Sequence, residues 1–163
     1  MAAALAVLAV LCTCTMEPVG AISAKKAGSA GTQPDIARRN LSDDEARGGH
    51  TLARHVGKSD GELRARLERE RIAAASTYTD LRTAEETVGT ALNREAERVR
   101  NWSQRRGRRP NLAIDFVGEV GRPLGRTLRR GEKSARSCAN AVVVLKSDGF
   151  NGYYVLTSYP ECH

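Results

Sequence analysis

The sequence predicts an α+β fold in which helices come first and an antiparallel β-sheet follows. Three observations carry this. Apolar residues recur at helical spacing up to about Trp102, the period falls to two after the RRGRRP break, and Gly-rich or polar turns separate the later apolar runs. Helices followed by strands mark an α+β arrangement rather than alternating βα units. At 163 residues the chain is long enough for one core and one folded domain.

Residues 1–23 read as an export segment. The run Ala2 to Leu11 is too short to span a bilayer and has the length of a signal-peptide core. Ala21 to Ser23 offers a small-x-small pattern for cleavage before Ala24, although no Lys or Arg precedes the run. Cys12 or Cys14 as a lipidated first residue, or an ordinary apolar helix of a cytosolic protein, are the alternative readings. Residues 24–47 are polar and read as a flexible linker, with the folded domain covering 48–163.

Within the domain, HTLARHV over His50 to Val56 reads as a short helix closed by Gly57. Ser59 and Glu62 form a capping box that starts a second helix, with Leu63, Leu67 and Ile72 on its apolar side. A short extended segment is expected around Ser76 to Tyr78. A long amphipathic helix follows, capped by Asp80 or by Thr83 with Glu86, and carrying Val88, Leu92, Val99 and Trp102 on its inner face. NLAIDFVG, RPLGRTLRR, ANAVVVLK and GYYVLTSYP read as strands, the last two joined by the turn SDGFNG. A hairpin centred on Phe150 sets Val143 opposite Thr157, Ala141 opposite Tyr159 and Cys138 opposite Cys162. A disulfide between these cysteines fits an oxidising compartment. Strict alternation places Tyr153, Val155, Thr157 and Tyr159 on one face.

Composition narrows the function. A net charge of +7 suits a polyanion such as RNA, DNA or an anionic membrane, while 4% aromatic residues argue against a binding platform built from many stacked bases. No paired Cys and His spacing suggests a metal site, and no cofactor motif is present. Groups that exchange protons near neutral pH are few: His50, His55 and His163. His50 and His55 lie roughly 140° apart around a helix, so at most one points fully into a site.

GGHTLARHVGKSDGELRARL, AASTYTD with TAEE, RPLGRTLRRG and GYYVLTSYP, in this order, resemble the bacterial RNase A-like toxin domain found at the C-termini of contact-dependent inhibition proteins of the CdiA type. The resemblance runs from about Gly48 to Pro160. It implies a kidney-shaped single domain and metal-independent RNA cleavage by transphosphorylation to a 2′,3′-cyclic phosphate. It also implies a helix histidine, an arginine and a Thr-x-Tyr pair on the last strand. In this chain these are His55, with His50 the alternative, Arg66, and Thr157 with Tyr159. A toxin role calls for an acidic immunity protein as partner, because a producing cell must block the activity, and a Cys138–Cys162 bridge would be an addition to the family's pattern. RVRNWSQRRGRRP, and Arg122, Arg126, Arg129 and Arg130 in RPLGRTLRRG, are expected to meet RNA phosphates. The expectation is therefore a secreted or cell-envelope ribonuclease used between bacteria, needing no cofactor and having no stable membrane span. A non-catalytic, basic RNA- or surface-binding exported protein of the same fold is the alternative.

Overall fold

The computed structural model describes residues 38–162; the proposed export segment and the linker up to residue 37 lie outside the described residues. The architecture is α+β. Helices α1 (Leu41–Ala46), α2 (Thr51–His55) and α3 (Asp60–Arg69) precede strand β1 (Ala74–Tyr78); α4 (Leu81–Arg94) and α5 (Ala96–Ser103) follow it. Strands β2 (Leu112–Phe116), β3 (Gly125–Arg129), β4 (Arg136–Cys138), β5 (Asn140–Ser147) and β6 (Tyr153–Glu161) complete the chain.

Local chemistry sets most element ends as expected. The Ser59 side chain accepts from the Glu62 backbone N–H while Glu62 accepts from that of Ser59, closing the capping box of α3. Asp80, rather than Thr83, caps α4 by accepting from the Thr83 N–H at 2.7 Å. The long helix divides at Glu95, which is the C-cap of α4 and the N-cap of α5. Trp102 is a core residue, 5% exposed, with its indole N–H donating to the Pro110 carbonyl.

The strands form two antiparallel three-stranded sheets rather than one: β1-β3-β4 and β2-β5-β6. The larger core gathers Leu41, Tyr78, Val88, Val99, Trp102, Ile114, Val143, Leu145 and Val155 around the inner face of β2-β5-β6. A smaller one packs Leu63 and Leu67 of α3 on Ala75 and Leu128.

Two sequence expectations are corrected. The linker does not extend to Arg47: Leu41–Ala46 is helical, and Leu41 and Asp44 are buried. This helix escaped notice because its single apolar anchor is surrounded by polar residues. Asn40 caps it by accepting from the Ser42 and Asp43 N–H groups, and the buried Asp44 is held by two hydrogen bonds from Arg39. Asp44 in turn accepts from the Val155 N–H of β6 at 3.0 Å. The second correction concerns register. Ser147, Lys146 and Leu145 pair with Tyr153, Tyr154 and Val155, but Val144 then pairs with Thr157, leaving Leu156 as a β-bulge. Tyr159 consequently faces Val142 rather than Ala141, and Thr157 faces Val144 rather than Val143.

Cys138 and Cys162 are disulfide-bonded, although not as facing members of one hairpin. Cys138 ends β4, where it pairs with Gly125 of β3, so the bridge ties one sheet to the end of the other sheet's last strand. With 24 residues separating the cysteines, closing this loop in the unfolded chain stabilises the fold by about 2–4 kcal/mol. A Cys138→Ser/Cys162→Ser variant is expected to lose that much in urea unfolding. Native protein alkylated without reductant should gain no mass on the peptides of Cys138 and Cys162; added mass at both would show that the bridge is absent in solution.

Candidate active site

The free edge of β6 is the frame on which the site is assembled. A strand edge carries unpaired backbone donors and acceptors, and here four residues from three elements satisfy them. Asp44 of α1 accepts from the Val155 N–H, the His50 N–H donates to the Leu156 carbonyl at 2.9 Å, Thr51 Oγ1 accepts from the Ser158 N–H at 2.9 Å, and Thr127 of β3 donates to the Pro160 carbonyl at 3.0 Å. Helix α2 is thereby stitched onto the bulged stretch of β6. The glycines before it permit the approach: Gly48 has φ +102°, and a Cβ on Gly49 would lie 2.5 Å from the Val155 carbonyl oxygen.

The bulge also decides which side chains face the site. Without it, alternation would turn Thr157 and Tyr159 to the same face as the core residue Val155. With Leu156 inserted, Ser158 takes the core-facing place beside Val143, and Thr157 and Tyr159 turn outward together. Ser158 is wholly buried. Its hydroxyl lies 2.6 Å from the Tyr78 hydroxyl and donates to the Val142 carbonyl at 2.9 Å, which leaves the Tyr78 O–H as donor to Ser158. Sequence reasoning assigned no role to Ser158, Thr51 or Tyr78, although their position beside the Thr-x-Tyr pair, the His helix and β1 was the available signal.

His55, at the end of α2, is 6% exposed. Its Nδ1 is 3.0 Å from the Ser76 carbonyl oxygen. A carbonyl only accepts, so Nδ1 carries the hydrogen, and the neutral ring presents an unprotonated Nε2. The ring centroid lies 5.4 Å from that of Tyr159. Burial pushes the His55 pKa down to about 4, opposed by the Ser76 hydrogen bond and reinforced by Arg66, His50 and Arg54.

His50 occupies the N-cap position of α2 without capping it; Glu45 accepts from the Leu52 and Ala53 N–H groups instead, both at 2.9 Å. Its pKa is also lowered, chiefly by burial and then by Arg54, with Glu45 opposing. Arg66 projects from α3 toward the end of α2. Its Nε donates to Glu70 at 3.1 Å and one terminal nitrogen to the Arg54 carbonyl at 3.3 Å. Its charge acts on both histidines. Arg54, Lys58, Arg66 and Arg69 share a cleft of about 350 Å³ with Glu62 and Glu70.

Tyr159 has its pKa raised by burial first, then by the carboxylates of Glu161 and Asp115. Asp115 reaches it across β5, since Asp115 pairs with Val142 and Val142 with Tyr159. Thr157 Oγ1 is buried and has no hydrogen-bond partner among the described residues, which leaves it an uncompensated donor. His55 and Tyr159 thus meet where α2 packs on β6, with Arg66 reaching the end of α2 and acting on both histidines.

The four arginines of the RPLGRTLRRG segment are placed differently. Arg126 donates to Asp60 and to the Lys58 carbonyl, both at 2.7 Å, and Arg130 donates to the Leu67, Glu70 and Ile72 carbonyls at the C-terminal end of α3. Arg129 holds the Cys162 carbonyl, and Arg122 forms an exposed pair with Glu119. Arg126 and Arg130 therefore have duties in the frame that the sequence did not disclose. Among the described residues no group of three or more His, Cys, Asp or Glu could hold a metal ion, and no helix is long and apolar enough to cross a membrane.

The Ser158 knot joins the strand of Thr157 and Tyr159 to α2 and β1. Ser158→Ala leaves the Tyr78 hydroxyl without its buried acceptor and is expected to cost about 1–3 kcal/mol in chemical denaturation. Tyr78→Phe in the same background should recover part of that loss, because it removes the stranded hydroxyl. Equal stability of Ser158→Ala and the parent protein would show that the knot contributes nothing.

Comparison with known proteins agrees with this geometry. The family model described as the bacterial CdiA-CT RNAse A domain matches residues 49–160. Among solved structures, the chain is similar to one in the crystal structure of a CdiA-CT/CdiI complex from Y. kristensenii 33638. The TM-score is 0.62 and the identity 29%, over 70% of this chain and 100% of that chain. No curated protein matches. With the family model covering most of the folded residues, the chain belongs to the bacterial CdiA-CT RNase A domain family.

Proposed function

We propose that this protein is a ribonuclease toxin that cleaves RNA without a metal ion, by transphosphorylation to a 2′,3′-cyclic phosphate. The observation that carries this reading is the fixed tautomer of His55: Nδ1–H is committed to the Ser76 carbonyl, leaving Nε2 as a base beside Tyr159. In the proposed reaction Nε2 takes the proton of the ribose 2′-hydroxyl, and O2′ attacks the adjacent phosphorus. The P–O5′ bond breaks, and the leaving oxygen takes a proton from Tyr159. Raising the Tyr159 pKa keeps that phenol protonated before the step. Arg66 and the unpartnered Thr157 hydroxyl supply donors for charge gathering on the phosphorane oxygens. The products are a cyclic phosphate and a 5′-hydroxyl, and solvent restores both protonation states.

His50 serves at the rim, adding positive charge when protonated. The similar solved chain occurs in a complex with CdiI, which supports a partner protein for this chain as well. We assign that partner the role of an acidic immunity protein covering the basic site. Release to, or display at, the cell surface before delivery into another bacterium completes the reading, and the Cys138–Cys162 bridge is compatible with an oxidising passage.

Purified protein incubated with RNA in EDTA is expected to yield fragments ending in cyclic phosphate. Intact RNA, or fragments with 3′-hydroxyl ends, would overturn the reading. His55→Ala should lower kcat/KM by about 10²–10⁴, and Arg66→Ala and Tyr159→Phe by about 10²–10³, with circular dichroism unchanged. A loss confined to His50→Ala would assign the base to the other histidine.

The depressed His55 pKa has a sign that can be measured. In the folded free protein the ring stays neutral down to about pH 4, whereas in the unfolded chain it takes a proton near 6.5. The unfolded state therefore binds more protons between these values. The neutral ring favours folding fully above pH 6.5, and that stability is lost as pH falls toward 4, by about 3 kcal/mol. Bound phosphate adds negative charge beside the ring and raises its pKa, so the acid limb of kcat should lie at higher pH than the acid limb of kcat/KM. Coincident limbs near 6.5 would show that His55 is not held in this state.

A further inference from the structure

Far along the β5–β6 hairpin from Thr157 and Tyr159 lies a cationic surface that the chemistry above does not use. The connection from α5 to β2 contains Arg105, Arg106, Arg108 and Arg109, with Gly107 at φ +83° allowing the tight reversal. Arg105, Arg106 and Arg108 are exposed and make no side-chain hydrogen bond or ion pair with any described residue. This contrasts with Arg126 and Arg130, whose donors are spent on the frame. Arg109 is different again: its guanidinium donates to the Ser103 carbonyl and to the Phe150 carbonyl, so it ties the loop to the hairpin tip.

Phe150 at that tip is 81% exposed. Its backbone is nonetheless held firmly. Asp148 accepts from the Phe150 and Gly152 N–H groups at 2.9 and 3.1 Å, and is itself paired with Arg47 at 3.1 Å. The turn thus presents an aromatic ring to solvent on a braced support, and Arg109 ties it to the loop that carries Arg105, Arg106 and Arg108, whose guanidinium groups pair with no described residue. An exposed aromatic by itself is ordinary. A ring next to a cationic track is the pairing that holds single-stranded nucleic acid, the base stacking on the ring and the guanidinium groups meeting phosphates.

We propose that Phe150 with Arg105, Arg106 and Arg108 forms a second RNA site, which holds a single-stranded flank of the substrate away from the scissile bond. The proposal rests on the ribonuclease reading and extends it. Phe150 precedes Thr157 by seven residues, on the order of 20 Å along the strand, so a strand of several nucleotides engages both sites while a dinucleotide reaches only one. The consequence is a length preference in binding, without base readout, because stacking tolerates every base.

The test uses the full chain carrying Phe150→Ala or the triple change Arg105→Gln/Arg106→Gln/Arg108→Gln, each confirmed as folded by thermal unfolding. Binding of a fluorescent single-stranded 2′-O-methyl oligonucleotide, which cannot be cleaved, is measured against salt, alongside cleavage of a long RNA and of a dinucleotide. Phe150→Ala should weaken oligonucleotide binding by about five- to hundredfold with the salt slope kept. The triple variant should weaken it at low salt and reduce the log–log salt slope by about 2. KM for long RNA should rise in both, while dinucleotide cleavage stays at the parent rate. Unchanged oligonucleotide affinity and slope would overturn the proposal. So would an equal loss on dinucleotide and long RNA, or a loss confined to vesicles of anionic phospholipid or to an acidic protein partner. Should the parent protein cleave nothing, the oligonucleotide measurement still decides on the second site, separately from the failed chemistry.

Discussion

The hydrogen bond from the His50 backbone N–H to the Leu156 carbonyl is available because Leu156 has no partner in the β5–β6 ladder. A bulged residue shifts alternation by one and frees backbone groups for other partners. Both effects are used here. The shift sends Ser158 inward and turns Thr157 and Tyr159 out, while the neighbouring backbone receives α2 through His50 and Thr51. Position and orientation of the two halves of the site thus come from one irregularity. A regular strand would have pointed the Thr-x-Tyr pair into the core and offered no matching edge for the histidine helix.

The environment around that junction separates the proton-exchanging groups. Burial and nearby cations drive His55 toward its neutral form, and burial with the carboxylates of Glu161 and Asp115 drives Tyr159 toward its protonated form. One ring is left with a lone pair, the other with a proton. Two groups pushed to complementary states within 5.4 Å suit a reaction in which a proton is accepted at one oxygen and delivered at another. The cost is stability at low pH, since the fold keeps an imidazole in a place that resists its charge.

The positive charge of the chain is unevenly spent. Arg39 neutralises the buried Asp44, Arg126 and Arg130 tie down the ends of α3, and Arg66 both bonds the end of α2 and lies beside the histidines. Guanidinium groups suit these duties because one planar fork can satisfy several carbonyls or both oxygens of a carboxylate. Arg105, Arg106 and Arg108 have no such engagement with any described residue, which leaves unpaired charge on the loop that Arg109 ties to the hairpin tip.

Much of this was legible in the residues. The Ser59–Glu62 capping box, the Asp80 cap, the inner stripe from Val88 to Trp102 and the alternating runs after Asn111 depend on neighbours within a few positions, and local chemistry suffices to place them. The motifs that named His55, Arg66, Thr157 and Tyr159 are likewise ordered along the chain. Three features were not legible. Helix α1 depends on Leu41 and Asp44 finding partners more than 40 and 110 residues away, in Glu85 and Val155. The division into two sheets, and the separate strand ending at Cys138, depend on pairing with β3. The bulge at Leu156 depends on what waits at the edge of β6. The sequence by itself determined which short elements form and offered candidate residues for the chemistry on them. Only the tertiary structure decided the register that sets Tyr159 beside His55, because a one-residue shift leaves local propensity unchanged while reversing every side chain beyond it.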